Sequence, residues 1–226
     1  MLTSDGSETR LRSIRREITF YRRWSHLTEA VRTGTRPQEN LRDEQDPNWV
    51  RDFTLALYDV ARITSPRIAD ALEPLIAGFD HPVMVIDVGG GHGGYSLELA
   101  RRFPDLRAVV FDLPPVIEVT RDLIAETGLG DRVTVRAGDF HADPLGAGYD
   151  FALLFGVLVS EDERAGIELL RAVRESLNPG GFLVVRGLYA GPGLAAETVS
   201  ALFDLHLLLS TGHGMARPAP DIEAWM

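Results

Sequence analysis

The chain has 226 residues, 45% hydrophobic and 25% charged, an ordinary balance for one domain or a domain with a small appendage. Its formal net charge of −10 argues against a broad nucleic-acid surface, and no apolar run reaches the 18 residues a membrane span needs. There is no cysteine and no lysine, which excludes disulfides, thiolate metal sites, a cysteine nucleophile, a Walker-type lysine and a Schiff-base lysine.

The N-terminus, "MLTSDGSETRLRS", has no apolar core, so it does not read as a signal peptide, and a cytoplasmic location is expected. "RLRSIRREITFYRRWSHLTEAVRTGTR" holds much of the arginine. Ile14, Ile18, Trp24, Leu27 and Val31 recur at three-to-four spacing, which predicts an amphipathic helix with an arginine-rich wet face rather than a nucleic-acid arm. After the polar loop "TGTRPQENLRDEQDPN" come two further helical patterns, "NWVRDFTLALYDVARI" and "PRIADALEPLIAGF", with Pro66 placed to open the second. Residues 1–80 therefore read as a helical N-terminal portion.

From His81 strands and helices alternate. "VMVID", "LRAVVFD", "RVTVRAGD", "YDFALLFGVLV" and "GFLVVRG" are five apolar strand patterns. Helical stripes lie between them at Tyr95–Phe103, Pro115–Thr127 and Asp162–Leu177, the last with a capping-box signature of Ser160 and Glu163. Such alternation predicts an α/β domain over residues 81–226, a doubly wound, mostly parallel, Rossmann-like sheet.

Ligands of such sheets bind beyond the carboxyl ends of the strands. Five glycines crowd positions 89–94, directly after the first strand. Gly89, Gly91 and Gly94 satisfy G-x-G-x-x-G, and Gly89, Gly91 and Gly93 satisfy G-x-G-x-G, so the glycines do not separate a dinucleotide from a nucleoside. The carboxylates do. Asp87 closes the first strand, where it repels a pyrophosphate and attracts a cationic amino-acid group. Asp112 ends the second strand, 23 positions beyond Gly89, where a carboxylate accepts hydrogen bonds from ribose hydroxyls. Asp139 follows the third strand, where it can take the exocyclic amine of an adenine, with Phe140 against the ring. An amino-acid end, a ribose and an adenine with no phosphate contact describe S-adenosylmethionine.

"VIDVGGGHGGYSLELARRFPDLRAVVFDLPPVIEVT", "DRVTVRAGDF" and "LLRAVRESLNPGGFLVV" resemble the class I S-adenosylmethionine-dependent O-methyltransferases of plant and bacterial natural-product pathways. The resemblance extends upstream over "YRRWSHLTEAVRTG", similar to the helix linking that family's dimerisation domain to its catalytic core. It extends downstream over "ALFDLHLLLSTGHGMARPAPDIEAWM", similar to its substrate-facing helix. It implies that Asp87, Gly89 and Gly91 line the methionine end, Asp112 and Leu113 the ribose side, and Asp139 and Phe140 the adenine. The acceptor is then a small aromatic or polycyclic secondary metabolite, O-methylated by preference, with C- or N-methylation as alternatives. Phe155, Val159 and Leu207 would shape its pocket.

One departure bears on mechanism. Where the resemblance places a histidine base after the fourth strand, this chain reads "LLFGVLVSEDER", with Val159 at that position. The acceptor is then self-activating, or another base is recruited, or the cofactor serves a non-methylating reaction such as hydroxylation or pericyclic chemistry. His206 is the foremost candidate base, and Asp204 matches the carboxylate that would orient the lost histidine. Two positions apart on a helix, the two are not expected to form a dyad. His213 is a second candidate, and His92 is expected to pack beside the cofactor. No histidine pair has metal-ligand spacing, so no metal is expected. The resemblance also implies seven strands where five are legible, and an N-terminal domain of which the chain holds the last part. From this a homodimer, or a partner chain supplying the missing strands, is expected; a cofactor-binding subunit with no chemistry of its own, completed by such a partner, is the alternative to the enzyme reading.

Overall fold

The computed structural model describes residues 11–37, 46–190, 193–211 and 215–226. Two compact units emerge. One comprises residues 57–157 and 168–186; the other comprises the N-terminal residues up to 56 together with 158–167 and 187–226.

The first unit is built on five parallel strands: β1 (Met84–Val88), β2 (Arg107–Asp112), β3 (Val133–Ala137), β4 (Tyr149–Phe155) and β5 (Leu177–Arg186), in the order β3-β2-β1-β4-β5. The order reverses beside β1, which pairs with β2 on one side and β4 on the other. That reversal opens a crevice at the carboxyl ends of β1 and its neighbours. β1 and β4 are apolar along nearly their whole length because helices cover both faces of a parallel sheet. The crossover helices are α4 (Gly94–Arg102), α5 (Pro114–Ala125) and the later part of α6 (Glu163–Ser176). Val85, Ile86, Leu97, Val110, Phe151 and Leu153 are all but inaccessible to solvent at the centre of this unit. Below the sheet, Asp150 is buried and accepts the Met84 N–H and the Asn178 Nδ2–H, both at 2.8 Å, tying β1 to the start of β5.

The predicted helices are present with ends moved by one or two residues, except in three places. First, residues 47–76 form one uninterrupted helix, α3 (Pro47–Ile76), with Pro66 and Pro74 inside it. A mid-helix proline costs about 3 kcal/mol. Burial of Ala61, Ala69, Leu72 and Ile76 in the sheet unit's core holds the helix together across Pro66. Second, Ser160 does not cap α6. It sits in a 3-10 turn (Leu158–Ser160), and the Asp162 carboxylate accepts the Ala165 N–H at 2.8 Å. A carboxylate one residue before the helix caps it and also meets the positive end of its dipole.

Third, the single N-terminal helix is two: α1 (Leu11–Trp24) and α2 (Leu27–Thr33), separated by a turn at Ser25–His26. Ile14, Ile18 and Val31, expected to face inward, are exposed, as is Tyr21. The inward contacts come from Phe20 and Arg23 instead. Phe20 packs edge-on against Trp49 at 5.6 Å and Phe53 at 6.2 Å. Arg23 is buried with its guanidinium 5.0 Å from the Trp49 ring centre. A planar, weakly hydrated cation can be buried against aromatic faces, which periodicity of apolar residues does not register. This second unit is completed by α7 (Leu194–Ser210), which touches α1 and α2, and by α8 (Ala219–Trp225). Among the described residues no helix is long and apolar enough to cross a membrane.

Candidate functional site

The glycine turn follows β1 because the chain must reverse there while packed against β2 and β4. Gly89, Gly91 and Gly93 all have positive φ, at 63°, 53° and 64°. At Gly89 a Cβ would also lie 2.6 Å from Val157 Cγ2, so the position needs glycine for both conformation and space. The Gly89 and Gly90 N–H groups are spent on the Phe111 carbonyl, which draws the turn onto the end of β2. The Thr120 hydroxyl of α5 donates to the Gly91 carbonyl.

Asp87 is buried beneath this turn. Its Oδ2 accepts the Ser96 hydroxyl at 2.8 Å, while Oδ1 is buried without a partner. Burial pushes its pKa up to about 7, against the Ser96 hydrogen bond, with the neighbouring Asp112 charge adding to the rise. Asp112 is half-buried at the end of β2. Its Oδ2 accepts the Gly91 N–H and its Oδ1 accepts the Leu113 N–H, both at 2.7 Å. Burial raises its pKa, and the two backbone hydrogen bonds oppose the rise. Each carboxylate oxygen still has a second lone pair for a ligand hydroxyl. Leu113 is exposed just beyond it.

Asp139 and Phe140 follow β3. The Asp139 Oδ1 accepts the His141 N–H at 2.9 Å, and its backbone N–H donates to Asp143 Oδ2 at 2.8 Å, so the residue caps its own loop. Its Oδ2 has no partner among the described residues. The Phe140 ring lies against Gly89, with Cε1 3.8 Å from where a Cβ would stand. Asp87, Gly89, Gly91, Asp112, Asp139 and Phe140 thus gather at the carboxyl ends of β1, β2 and β3.

His92 is buried in the turn. Its Nδ1 accepts the Gly94 N–H at 2.9 Å, and burial, helped by Arg186, lowers its pKa to about 4. It is therefore a neutral imidazole that shapes the turn. Beside it lies a group the sequence did not single out. The Tyr95 hydroxyl accepts from Arg186 at 2.9 Å and meets Thr64 Oγ1 at 3.0 Å, and the Tyr95 ring stands edge-on to Phe155 at 4.8 Å. Ser96 was missed as well. Its signal was present, since a serine in the first turn of the helix after a glycine loop lies close to the preceding strand end.

In the second unit, Val159 sits in the 3-10 turn and Leu207 is buried on α7. The Asp204 carboxylate accepts the Ala216 N–H at 2.6 Å. His206 packs edge-on against Phe20 at 4.4 Å and beside Phe203 at 6.0 Å. Burial and the nearby Arg23 lower its pKa, with smaller opposed effects from Glu17 and Arg16. No hydrogen bond joins Asp204 to His206 among the described residues. His213 lies outside them, and among them no three His, Asp or Glu side chains form a cluster able to hold a metal ion.

A family model described as an O-methyltransferase domain matches residues 24–226. The chain belongs to the O-methyltransferase family. It is 30% identical over 194 residues to 3-hydroxy-5-methyl-1-naphthoate 3-O-methyltransferase of Streptomyces sahachiroi, covering 83% of this chain and 54% of that protein. It is 40% identical over 140 residues to aclacinomycin 10-hydroxylase RdmB of Streptomyces purpurascens, covering 61% of this chain and 37% of that protein. Among solved structures it is similar to LaPhzM, with a TM-score of 0.85 and 25% identity over 99% of this chain and 68% of the other. The chain spans about half the length of the curated relatives it matches.

Members of this family use S-adenosylmethionine, and the residues present fit it. The orphaned Asp87 Oδ1 is an acceptor for an ammonium group, Asp112 has lone pairs for ribose hydroxyls, and the glycine turn leaves backbone where side chains would intrude.

Proposed function

We propose that this chain transfers a methyl group from S-adenosylmethionine to a hydroxyl of a small aromatic or polycyclic metabolite. The observation that carries the reading is the buried, half-satisfied carboxylate of Asp87 beneath the glycine turn. A buried anion with an unpaired oxygen is costly, and a cationic ligand group removes the cost. The same carboxylate disfavours a dinucleotide, whose pyrophosphate would stand beside it with no compensating cation.

When bound, S-adenosylmethionine supplies a methyl group on positively charged sulfur. Asp87 would hold the amino end, and Asp112, whose carboxylate accepts the Gly91 and Leu113 N–H groups, would hold the ribose hydroxyls. Asp139 and Phe140 would border the adenine. The chain's own contribution would be to orient the acceptor hydroxyl toward that methyl group, and orientation of this kind provides most of the acceleration. With Val159 where the resemblance implies a histidine, the acceptor proton leaves by another route. An acidic phenol or enol is therefore the favoured acceptor class.

Titration calorimetry should show S-adenosylhomocysteine binding and no NAD binding, and transfer of labelled methyl into an aromatic acceptor tests the chemistry. NAD binding, or no nucleoside binding, sinks the reading. The similarity to a hydroxylase supports a second reading, in which substrate is converted while the labelled methyl stays on the cofactor. A third reading makes the chain a cofactor-binding subunit, active only when its copurifying partner is restored. The location we propose is cytoplasmic. The assembly we propose is a homodimer, supported by the exposed Ile14, Ile18, Tyr21 and Val31 on α1 and α2. Light scattering of the purified chain tests it.

A further inference from the structure

We propose that Arg186, held in place by Tyr95, forms a subsite for a ligand carboxylate on the β5 side of the glycine turn. The inference rests on the methyl-transfer reading above. Arg186 ends β5 and is level with Phe155 at the end of β4, so it stands at the carboxyl edge of the sheet. Asp87 is level with Leu153, and Leu153 with Val184, so Arg186 stands two residues further out than the buried carboxylate. Its guanidinium lies over Tyr95. Nη1 donates to the Tyr95 hydroxyl at 2.9 Å, and the guanidinium carbon is 5.5 Å from the ring centre. Tyr95 is in the first turn of the helix after the glycines, and its neighbour Ser96 holds Asp87. Arg186, Tyr95, the glycine turn and Asp87 all belong to one compact unit.

A chain of hydrogen bonds with one direction fixes the arginine. Thr64 Oγ1 donates its only proton to the Val60 carbonyl at 3.2 Å, so in its 3.0 Å contact with Tyr95 the tyrosine is the donor. The Tyr95 oxygen is then left to accept, and it accepts from Arg186. Tyr95 is buried, with its ring edge-on to Phe155 at 4.8 Å, so this anchor does not shift. The rest of the guanidinium is unspent. It has five N–H donors in a planar fork, and among the described residues Arg186 meets no carboxylate and no acceptor besides Tyr95. The residue is exposed, so a ligand can reach those donors. The neighbouring His92 is a neutral imidazole, so a single positive charge stands here. One planar cation with a free edge matches one carboxylate, which it can hold through two parallel hydrogen bonds. Asp112 and Asp139, assigned to the ribose and the adenine, end β2 and follow β3, across β1 from β4 and β5. Two carboxylates therefore compete for the β5 side: the α-carboxylate of the cofactor's amino-acid end, and a carboxylate borne by the aromatic acceptor.

The test is calorimetry on the full chain with two pairs of ligands. The first pair is S-adenosylhomocysteine and its decarboxylated analogue, which keeps the amine. The second, on the chain saturated with S-adenosylhomocysteine, is 6-hydroxy-2-naphthoate and 2-naphthol. In one pair the wild type should prefer the carboxylate by about tenfold or more, the range for a hydrogen bond between charged groups. Arg186→Gln should reduce that preference to within about twofold and leave the carboxylate-free member of the pair unchanged. Tyr95→Phe keeps the ring but frees the guanidinium, and should reduce the same preference about threefold. Arg107→Gln removes an exposed arginine at the start of β2 and should leave it intact. The pair that responds identifies the source: the nucleosides if the cofactor's carboxylate is held, the naphthalenes if the acceptor's is. The proposal is overturned if neither pair shows a preference that Arg186→Gln removes, or if Arg107→Gln removes it equally. Nucleosides that bind equally well, with no Arg186-dependent preference for the naphthoate, sink this proposal alone. A chain that binds neither nucleoside sinks the methyl-transfer reading, and this proposal with it.

Discussion

Ser96 donates its hydroxyl to one oxygen of Asp87 and leaves the other oxygen buried and unpaired. The pair explains why a carboxylate can sit under the glycine turn. Ser96 stabilises the ionised form only in part, and burial still holds the pKa near 7.

The pH dependence of stability follows from Asp87 and His92, which act in opposite directions. Asp87 rises from 3.8 to about 7, so protonation favours the fold; its contribution is full below pH 3.8 and is lost as pH rises through about 7. His92 falls from 6.5 to about 4, so its contribution is full above pH 6.5 and is lost as pH falls through about 4. Between those limits the two nearly offset. His92→Gln should therefore make the protein gain stability relative to wild type on acidification from pH 7 to 4.5, and Asp87→Asn should make it lose. Thermal unfolding at four pH values checks this, and parallel profiles for all three proteins would refute it. S-adenosylhomocysteine affinity should also drop as pH falls below about 7, approaching about tenfold per unit, because its ammonium needs the ionised carboxylate.

The two glycines at the ends of the G-x-G pattern should respond differently to alanine. Both pay about 1–2 kcal/mol for a left-handed backbone with a side chain. Gly89→Ala adds a collision with Val157 Cγ2, whereas at Gly91 the nearest atom is Asp112 Oδ2 at 4.0 Å. Gly89→Ala should thus cost about 1–3 kcal/mol more than Gly91→Ala. In a Val157→Ala background that excess should vanish, as measured by urea unfolding of six proteins: wild type, Val157→Ala, and each glycine variant alone and combined with Val157→Ala. An unchanged excess would mean that the collision is not the cause.

Asp112→Ala should lower nucleoside affinity by about 10–100-fold, the range for losing hydrogen bonds to a charged group. It should also loosen the glycine turn, since the Gly91 and Leu113 N–H groups lose their acceptor. Asp112→Asn keeps an acceptor for one of them and should recover part of the stability. Calorimetry and unfolding on the same samples separate the two effects. Unchanged affinity in Asp112→Ala removes this residue from the site.

His206 is placed for packing. Its ring meets Phe20 edge-on, a contact worth about 0.5–1.5 kcal/mol beyond burial. His206→Ala should lower the melting temperature and cost less than about tenfold in kcat, and His206→Phe should keep the stability. A loss of about 10²-fold or more in kcat at unchanged nucleoside affinity would instead make His206 the recruited base.

The sheet was legible in the sequence because it is local: apolar runs of strand length, glycines at the turn, and Asp87 and Asp112 at strand ends follow from one stretch of chain. The same holds for the glycine turn itself, since only glycine accepts its backbone conformation. Tertiary structure decided what depends on partners distant in sequence. Pro66 lies inside one helix because core packing of α3 outweighs the proline. The stripe of Ile14, Ile18 and Val31 faces outward because Arg23 and Phe20 find aromatic partners in Trp49, Phe53 and His206. Asp204 is held by the Ala216 backbone, twelve residues on. Periodicity reports which face of an element is apolar; it does not report which atoms of other elements will meet that face, and burial of a cation or pairing of a carboxylate depends on those atoms.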